Sequence, residues 1–384
     1  MAEHLSMGVL GAAYSYEEVE AAVKDAGRSS ERVRELPAEV VTYYVMALGL
    51  LMTVSTKEVM RVLQEGFRWL GQKVPGKMVS KAALSQARER LGVEPLKTLW
   101  AKCARPMAGA ETPGAFYRDR RLVALDGSSL DVPDTAANRA HFGKPGASRG
   151  EAAFPQVRLV GLIEIGAHGF FAAATGPYTC SEQTLAGQIL PALKPGMLCL
   201  ADRLFSTFPF WKKAVATGAD LLWRIRNNLV LPVEEVLADG SYLSTFYPST
   251  KDRRKKTNGM RVRVIEYQLA GAPKPETYRL MTTLLDPAIA PADELAALYP
   301  ERWELEGAFD ELKTHLRGSR VILRSKSPKL VEQEVYGLLL AHRAVRALML
   351  KAAATTKIDP DRLSFTHTVN VIRRKLATKP VFSP

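Results

Sequence analysis

Cysteine is scarce in this chain: Cys103, Cys180 and Cys199 are its three thiols in 384 residues. No pair has CxxC spacing, which excludes a disulfide framework and a cysteine-bound zinc, and leaves ordinary thiols of a reducing compartment. Histidine is also thin, and His4, His141, His168, His315, His342 and His367 form neither HExxH nor another paired zinc spacing. They read as surface or internally satisfied residues. No apolar run approaches the roughly 20 residues that a bilayer span needs; the longest, Val40 to Val54, contains Thr42, Tyr43 and Gly49 and reads as a buried helix. The N-terminal residues lack a basic stretch followed by a long apolar one, so no secretion and no membrane partner are expected. Acidic residues are the remaining deficit: 40 against 53 Lys and Arg give a net charge of +13 and a pI near 9.6. That favours a polyanionic partner, nucleic acid first of all.

What is present is the composition of a folded protein, 47% hydrophobic and 24% charged, on a chain longer than one core usually fills. The charge is uneven. Residues 1–66 are net −4, residues 67–105 net +7, residues 251–263 net +6 and residues 310–384 net +9. Three separated basic patches suit a surface that surrounds a long ligand. The first hundred residues are helical by pattern: Pro37 opens a helix from Ala38 to Met52, Ser55 and Thr56 cap a second to Gly66, and Lys81 to Arg90 form a third before Gly92. In this third helix Ser80 is the N-cap, Ala83, Leu84, Ala87 and Leu91 face inward, and Lys81, Gln86, Arg88 and Arg90 face outward. A groove-entering helix and a solvated face both account for that outer surface.

From about residue 116 the period changes. RRLVALDGSSLDV, FPQVRLVGLIEIGAHG and FFAAATGP read as strands, followed by a helix at Ser181 to Leu193, a strand MLCLAD, a helix through Phe210 to Thr217 and a strand DLLWRIRN. This order predicts a mixed α/β sheet covered by helices. Residues 229–284 then read as a β-rich insertion with turn signals at ADGSY, the basic run, TNGM and AGAPKP, and helix resumes at Pro291 and dominates to the end. The expected organisation is a helical N-terminal DNA-binding domain (1–110), an α/β catalytic domain (116–228 and 285–327), the insertion (229–284) and a helical C-terminal region (328–384).

Three carboxylates stand out. Asp126 follows the apolar Leu122 to Leu125, and Asp202 follows MLCLA with Arg203 next to it. Both are charges at the end of buried runs, where desolvation is costly unless they are paired or metal-bound, and that edge of an α/β sheet is where ligands bind. The third is Glu306. At about 100° per residue, Tyr299, Arg302, Glu306 and Lys313 share an arc of roughly 60° on one helix face. Carboxylates from two strands and a helix suit two divalent ions of the hard, oxygen-loving kind, Mg²⁺ or Mn²⁺, which activate a water or a 3′-hydroxyl in phosphodiester displacement. Arg302 and Lys313 would clamp phosphates, and Tyr299 would hydrogen-bond the nucleic-acid backbone. Asp131 and Asp134 read as caps in a polar turn, Glu311 points off that face, and Asp310 would face much the same side as Glu306. Trp223 and Tyr278 are base-stacking candidates, although aromatics at such positions are more often core.

YPERWELEGAFDELK matches Y-x2-R-x3-E-x6-K at Tyr299, Arg302, Glu306 and Lys313, and with LDGSSLD and LCLADRLF it resembles the DDE transposases of the insertion-sequence 4 family. ELPAEVVTYYVMALGLLMTVSTKEVMRVLQEG is similar to that family's N-terminal helical domain. The resemblance spans nearly the whole chain. It implies a ribonuclease H-like catalytic domain and a Mg²⁺-dependent transposase, with Mn²⁺ able to substitute and two ions per site, that cuts and joins DNA at paired inverted repeats. It further implies Asp126, Asp202 and Glu306 as metal ligands and Tyr299, Arg302 and Lys313 as contacts to the transposon end. Arg203, the run Lys251, Arg253, Arg254, Lys255 and Lys256, and the outer-face residues Lys81, Arg88 and Arg90 are the further expected contacts to double-stranded DNA. A homodimer on two ends and a cytoplasmic, nucleoid-associated location are expected with that activity; a non-catalytic relative acting as a DNA-binding repressor is the alternative. One departure is that Asp310 stands where some relatives carry a basic residue.

Overall fold

The computed structural model describes residues 5–30, 36–69, 79–147, 150–268, 277–318 and 321–373. The expected AGAPKP turn (270–275) and parts of the first and third basic patches lie outside these residues.

Six helices build the N-terminal part: α1 (Leu5–Ala13), α2 (Tyr16–Asp25), α3 (Ala38–Leu50), α4 (Thr56–Trp69), α5 (Lys81–Leu91) and α6 (Glu94–Cys103). Ser15 caps α2 through a reciprocal capping box with Glu18, and Ser80 Oγ accepts the Ala83 amide at the start of α5, each satisfying an N-terminal donor. α3 is apolar around its whole circumference because it is surrounded, as the Val40 to Val54 run implies. α1, α2 and α6 add three helices to those read from the sequence.

The strands that follow are β1 (Arg120–Asp131), β2 (Gln156–Glu164), β3 (Gly169–Pro177), β4 (Met197–Ala201), β5 (Asp220–Arg224), β6 (Glu235–Val236), β7 (Tyr242–Phe246), β8 (Met260–Gln268) and β9 (Thr277–Thr282). They lie in one sheet in the order 3-2-1-4-5-9-8-7-6, with β1, β4 and β5 parallel and the other pairings antiparallel. The first five are the ribonuclease H-like arrangement. The segment read as an insertion does not stand apart from it: β9 pairs with β5, and β8, β7 and β6 continue the sheet outward.

Alternation along β1 and β4 assigns their side chains to two cores. Leu122, Ala124, Leu198 and Leu200 face one layer, shared with the N-terminal and C-terminal helices, whereas Val123, Leu125, Cys199 and Ala201 face the other. α8 (Glu182–Ile189) and α9 (Phe208–Val215) cover this second face after α7 (Ala136–Phe142), and the short α10 (Thr250–Lys255) joins β7 to β8. On the first face lie α11 (Ala292–Leu298), α12 (Trp303–Asp310), α13 (Pro328–Thr356) and α14 (Phe365–Arg373). The C-terminal helices are therefore part of the main packing. α13 approaches α3 where two glycines meet: a Cβ on Gly337 would lie 2.6 Å from the Val45 carbonyl oxygen, and one on Gly49 2.9 Å from Leu338 Cα.

Candidate active site

The parallel pairing of β1 with β4 ends at Leu125 and Ala201, so Asp126 and Asp202 are the next residues on adjacent strands. The expectation that Asp126 lies at a strand end needs correcting: β1 runs on to Asp131, paired with β2, and what ends at Leu125 is the β4 partnership. By the period-2 alternation Asp126 and Asp202 project toward the face that carries α12.

The segment carrying Glu306 is not one uniform helix. Tyr299–Arg302 is a 3₁₀ turn containing Pro300, Trp303–Asp310 is α-helical, and Glu311–Leu316 is a π-helical turn. Its four signature side chains nonetheless meet the sheet edge. Arg302 Nη1 lies 3.4 Å from Asp126 Oδ2 and Nη2 lies 3.2 Å from Glu306 Oε1, so one guanidinium bridges the two carboxylates. Lys313 Nζ donates to Ser128 Oγ at 3.0 Å, two residues beyond Asp126 on the same strand face. Tyr299 donates from its hydroxyl to the Ala201 carbonyl at 3.3 Å, fixing the residue that precedes Asp202.

The electrostatics of this edge are those of an acidic site in which Arg302 pairs with two carboxylates and Lys313 lies farther along β1. Burial pushes the Asp126 carboxyl up to about 6, with Glu182 and Asp202 adding in the same direction, while the Gly127 amide and Arg302 pull it down. Burial and the neighbouring Arg317 lower the Lys313 ammonium. Arg302 is almost fully buried and Glu306 exposed, so the acid can reach an outside ligand while the arginine is fixed beneath it. Asp310 lies against His315 at 3.1 Å.

Glu182, on α8, is a member of this neighbourhood that sequence reasoning missed. A Cβ on Gly127 would lie 2.8 Å from its carboxyl carbon, and the small residue after Asp126 was the available signal. Arg203 is exposed beside Asp202, and with Arg226, Asn227 and Asn228 it lines a shallow cavity of about 500 Å³. Lys251, Arg254, Lys255 and Lys256 are exposed on and after α10, Arg253 is half-buried there, and Lys81 and Arg90 are exposed on α5.

Three expected DNA contacts are buried: Arg88, Tyr299 and Arg302, the last held between Asp126 and Glu306. Arg88 is buried, with Nε on Gln333 at 2.7 Å and Nη2 on Ser325 and the Leu330 carbonyl, each at 3.0 Å; it ties α5 to the start of α13 and leaves the set of DNA-facing cations. Tyr299 is 3% exposed, and burial pushes its phenol well above its usual range, so it holds the strand end instead of reaching outward. Trp223 is fully buried against Trp211 and Phe210, and Tyr278 stacks on Tyr267 with Arg224 over its ring, which removes both as base-stacking surfaces. Asp134 pairs with Arg139 and Lys144, and Asp131 accepts from Gln156, so neither belongs to the acidic site.

A sheet in this order, with carboxylates on its first and fourth strands and on a following helix, defines a DDE-type ribonuclease H-like enzyme. Residues 4–101 match the family described as "Insertion element 4 transposase N-terminal", and residues 117–343 match "Transposase DDE domain". The chain belongs to the insertion element 4 family of DDE transposases. It is 32% identical over 365 residues to "Transposase InsG for insertion sequence element IS4" of Escherichia coli (strain K12), covering 94% of this chain and 80% of that one. It is 30% identical over 129 residues to "Putative transposase InsZ" of the same organism, covering 33% of this chain and 43% of that one. A solved neighbour, the cryo-EM structure of piggyBac transposase in a synaptic complex with hairpin DNA, covers 96% of this chain and 79% of its own at TM-score 0.48 and 10% identity. No described helix is long and apolar enough to cross a membrane.

Proposed function

We propose that this protein binds the terminal inverted repeats of its own insertion sequence and catalyses phosphodiester hydrolysis and strand transfer at them, with two Mg²⁺ ions held by Asp126, Asp202 and Glu306. The observation that carries this reading is the register: Asp126 and Asp202 follow the last parallel pair of β1 and β4, and Arg302 links Asp126 to Glu306. The donor set fits the ions. It is all carboxylate, it comes from three elements, and one member is a desolvated acid whose raised pKa reflects a charge still lacking full compensation. Two such ions, when bound, supply Lewis acidity at the scissile phosphate and favour the ionised form of the attacking hydroxyl; Mn²⁺ has the same oxygen preference and would substitute.

The chain's own groups supply position and charge. Arg302 holds the carboxylates in place and offers a fixed cation beside the phosphate. Lys313, seated on Ser128, places a second cation farther along β1. Arg203, two residues past β4, and the exposed cations of α10 extend a basic track for backbone phosphates away from the acids. Lys81 and Arg90 supply such contacts on the helical module. The divisions 1–110, 116–228 with 285–327, 229–284 and 328–384 serve as working functional units, and two copies are needed to hold two ends. Cytoplasmic action at the nucleoid goes with that activity.

The test is cleavage of a duplex carrying the element's terminal repeats, with Mg²⁺ or Mn²⁺. Nicking at the repeat boundary, lost in Glu306→Gln while the gel shift persists, is the expected result. A gel shift without nicking in the wild type under both metals contradicts catalysis and fits a DNA-binding repressor.

A further inference from the structure

A second cluster of ligating groups lies away from the catalytic edge. His168 follows the turn between β2 and β3, Glu304 is on α12, and Asp361 lies beyond α13 in the 3₁₀ turn Pro360–Arg362. His168 Nε2 is 2.8 Å from Glu304 Oε2 and 3.3 Å from Asp361 Oδ1, and one ligand atom from each residue lies within 4.8 Å of the others. His168 is 6% exposed, and its Nε2 is buried without a hydrogen-bond partner, near two carboxylates but aligned to donate to neither.

We propose that His168, Glu304 and Asp361 form a binding site for one divalent transition-metal ion, Mn²⁺ or Zn²⁺, distinct from the Asp126, Asp202 and Glu306 site. The two separations from His168 are close to those of a shared ion: ligand atoms about 2.1 Å from it at angles between 90° and 110° stand about 3.0–3.4 Å apart. The donor set of one imidazole and two carboxylates suits Mn²⁺ or Zn²⁺ better than Mg²⁺, which prefers oxygen alone. Glu301 and Asp359 add negative charge nearby: Glu304, Asp361 and Asp359 all push the Glu301 carboxyl up, behind the effect of burial. Four carboxylates gather here, with Arg346 and His168 as the cationic groups that act on Glu304 and Asp361.

The other ring nitrogen is provided for. Glu311 Oε1 lies 3.5 Å from His168 Nδ1, the carboxylate–histidine arrangement that fixes a metal-binding tautomer. Arg346 also touches Nδ1, and as a donor it favours the tautomer with the proton on Nε2, so metal binding requires the guanidinium to withdraw onto Glu311, with which it already pairs. Residues 304 and 306 differ by about 200° around a helix, so Glu304 faces this cluster while Glu306 faces the sheet edge. The ion would join three distant parts of the chain: the β2–β3 turn, the helix carrying Glu306 and the segment leading to α14.

The experiment uses full-length protein carrying Asp126→Asn and Asp202→Asn, to weaken the all-oxygen site, titrated with Mn²⁺ alone and read by pulsed EPR for a directly coordinated nitrogen. The proposal predicts one Mn²⁺ with nitrogen coupling and a thermal midpoint raised by Mn²⁺ or Zn²⁺. Asp361 is exposed, so Asp361→Ala should fold and bind at least about tenfold more weakly, its nitrogen signal needing correspondingly more Mn²⁺; His168→Asn should lose the nitrogen signal. Oxygen-only coordination, no metal-dependent rise in midpoint, nitrogen coupling that survives His168→Asn, or an affinity unchanged by Asp361→Ala would overturn it. A midpoint lowered by Asp361→Ala with no metal response would identify an ordinary ion-pair network and overturn it equally.

Discussion

Arg302 Nη1 lies 3.4 Å from Asp126 Oδ2, joining residues 176 positions apart, and the same guanidinium reaches Glu306. Without metal this arginine is the counter-charge of the acidic edge; with metal it shares its partners. Arg302→Ala should therefore lower the thermal midpoint of the metal-free protein at pH 8 and enlarge the rise on adding Mg²⁺, since the carboxylates no longer have a resident cation. Thermal melts with and without Mg²⁺ measure both; an unchanged rise contradicts the counter-charge role.

The raised pKa of Asp126 makes a stability prediction of definite sign. A carboxyl at about 6 in the folded chain, against 3.8 ordinarily, holds its proton more tightly when folded, so the stability it contributes is present at low pH and lost as pH rises from about 4 to about 6. Asp126→Asn has no such loss. The metal-free variant should match the wild type near pH 4 and exceed it by about 1–2 kcal/mol above pH 7, a figure discounted for the partial exposure of the group. Denaturant melts across pH decide it; a gap that shrinks with rising pH contradicts the assignment of the shift to burial.

Gly337→Ala tests whether the C-terminal helix is integral to the fold. Its new methyl would press on the Val45 backbone, which cannot move as a side chain can, so the variant should lose about 1–3 kcal/mol. A neutral result in a urea melt would mean that α3 and α13 separate easily. Gly187→Ala, on α8 with nothing near its Cβ, is the matched control.

The proposed catalytic edge was legible as a cluster of side chains because its signals are local. An apolar run ending in Asp predicts a buried strand that delivers a charge, and the spacing of Tyr299, Arg302, Glu306 and Lys313 puts them on one side even though the helix passes through 3₁₀ and π geometry. Arg88 shows the opposite case. It stands four residues after Leu84 and three before Leu91, on their face, but its charge suggests the surface; its partners Ser325, Leu330 and Gln333 lie more than 230 residues away, where no local pattern points. The continuation of the sheet from β5 into β9 was hidden for the same reason, since the strands of 229–284 read alike whether they form a separate module or extend the sheet. His168, Glu304 and Asp361 are likewise gathered by tertiary packing alone.

The central claim is that Asp126, Asp202 and Glu306 form one metal-dependent catalytic unit. Its most direct test is Asp202→Ala, because Asp202 belongs to that unit by strand register and not by any side-chain contact described above. On a duplex bearing the element's own terminal repeats, with Mg²⁺ supplied, the variant should still shift the DNA while end cleavage falls by at least about a thousandfold. Cleavage at the wild-type rate would contradict the account.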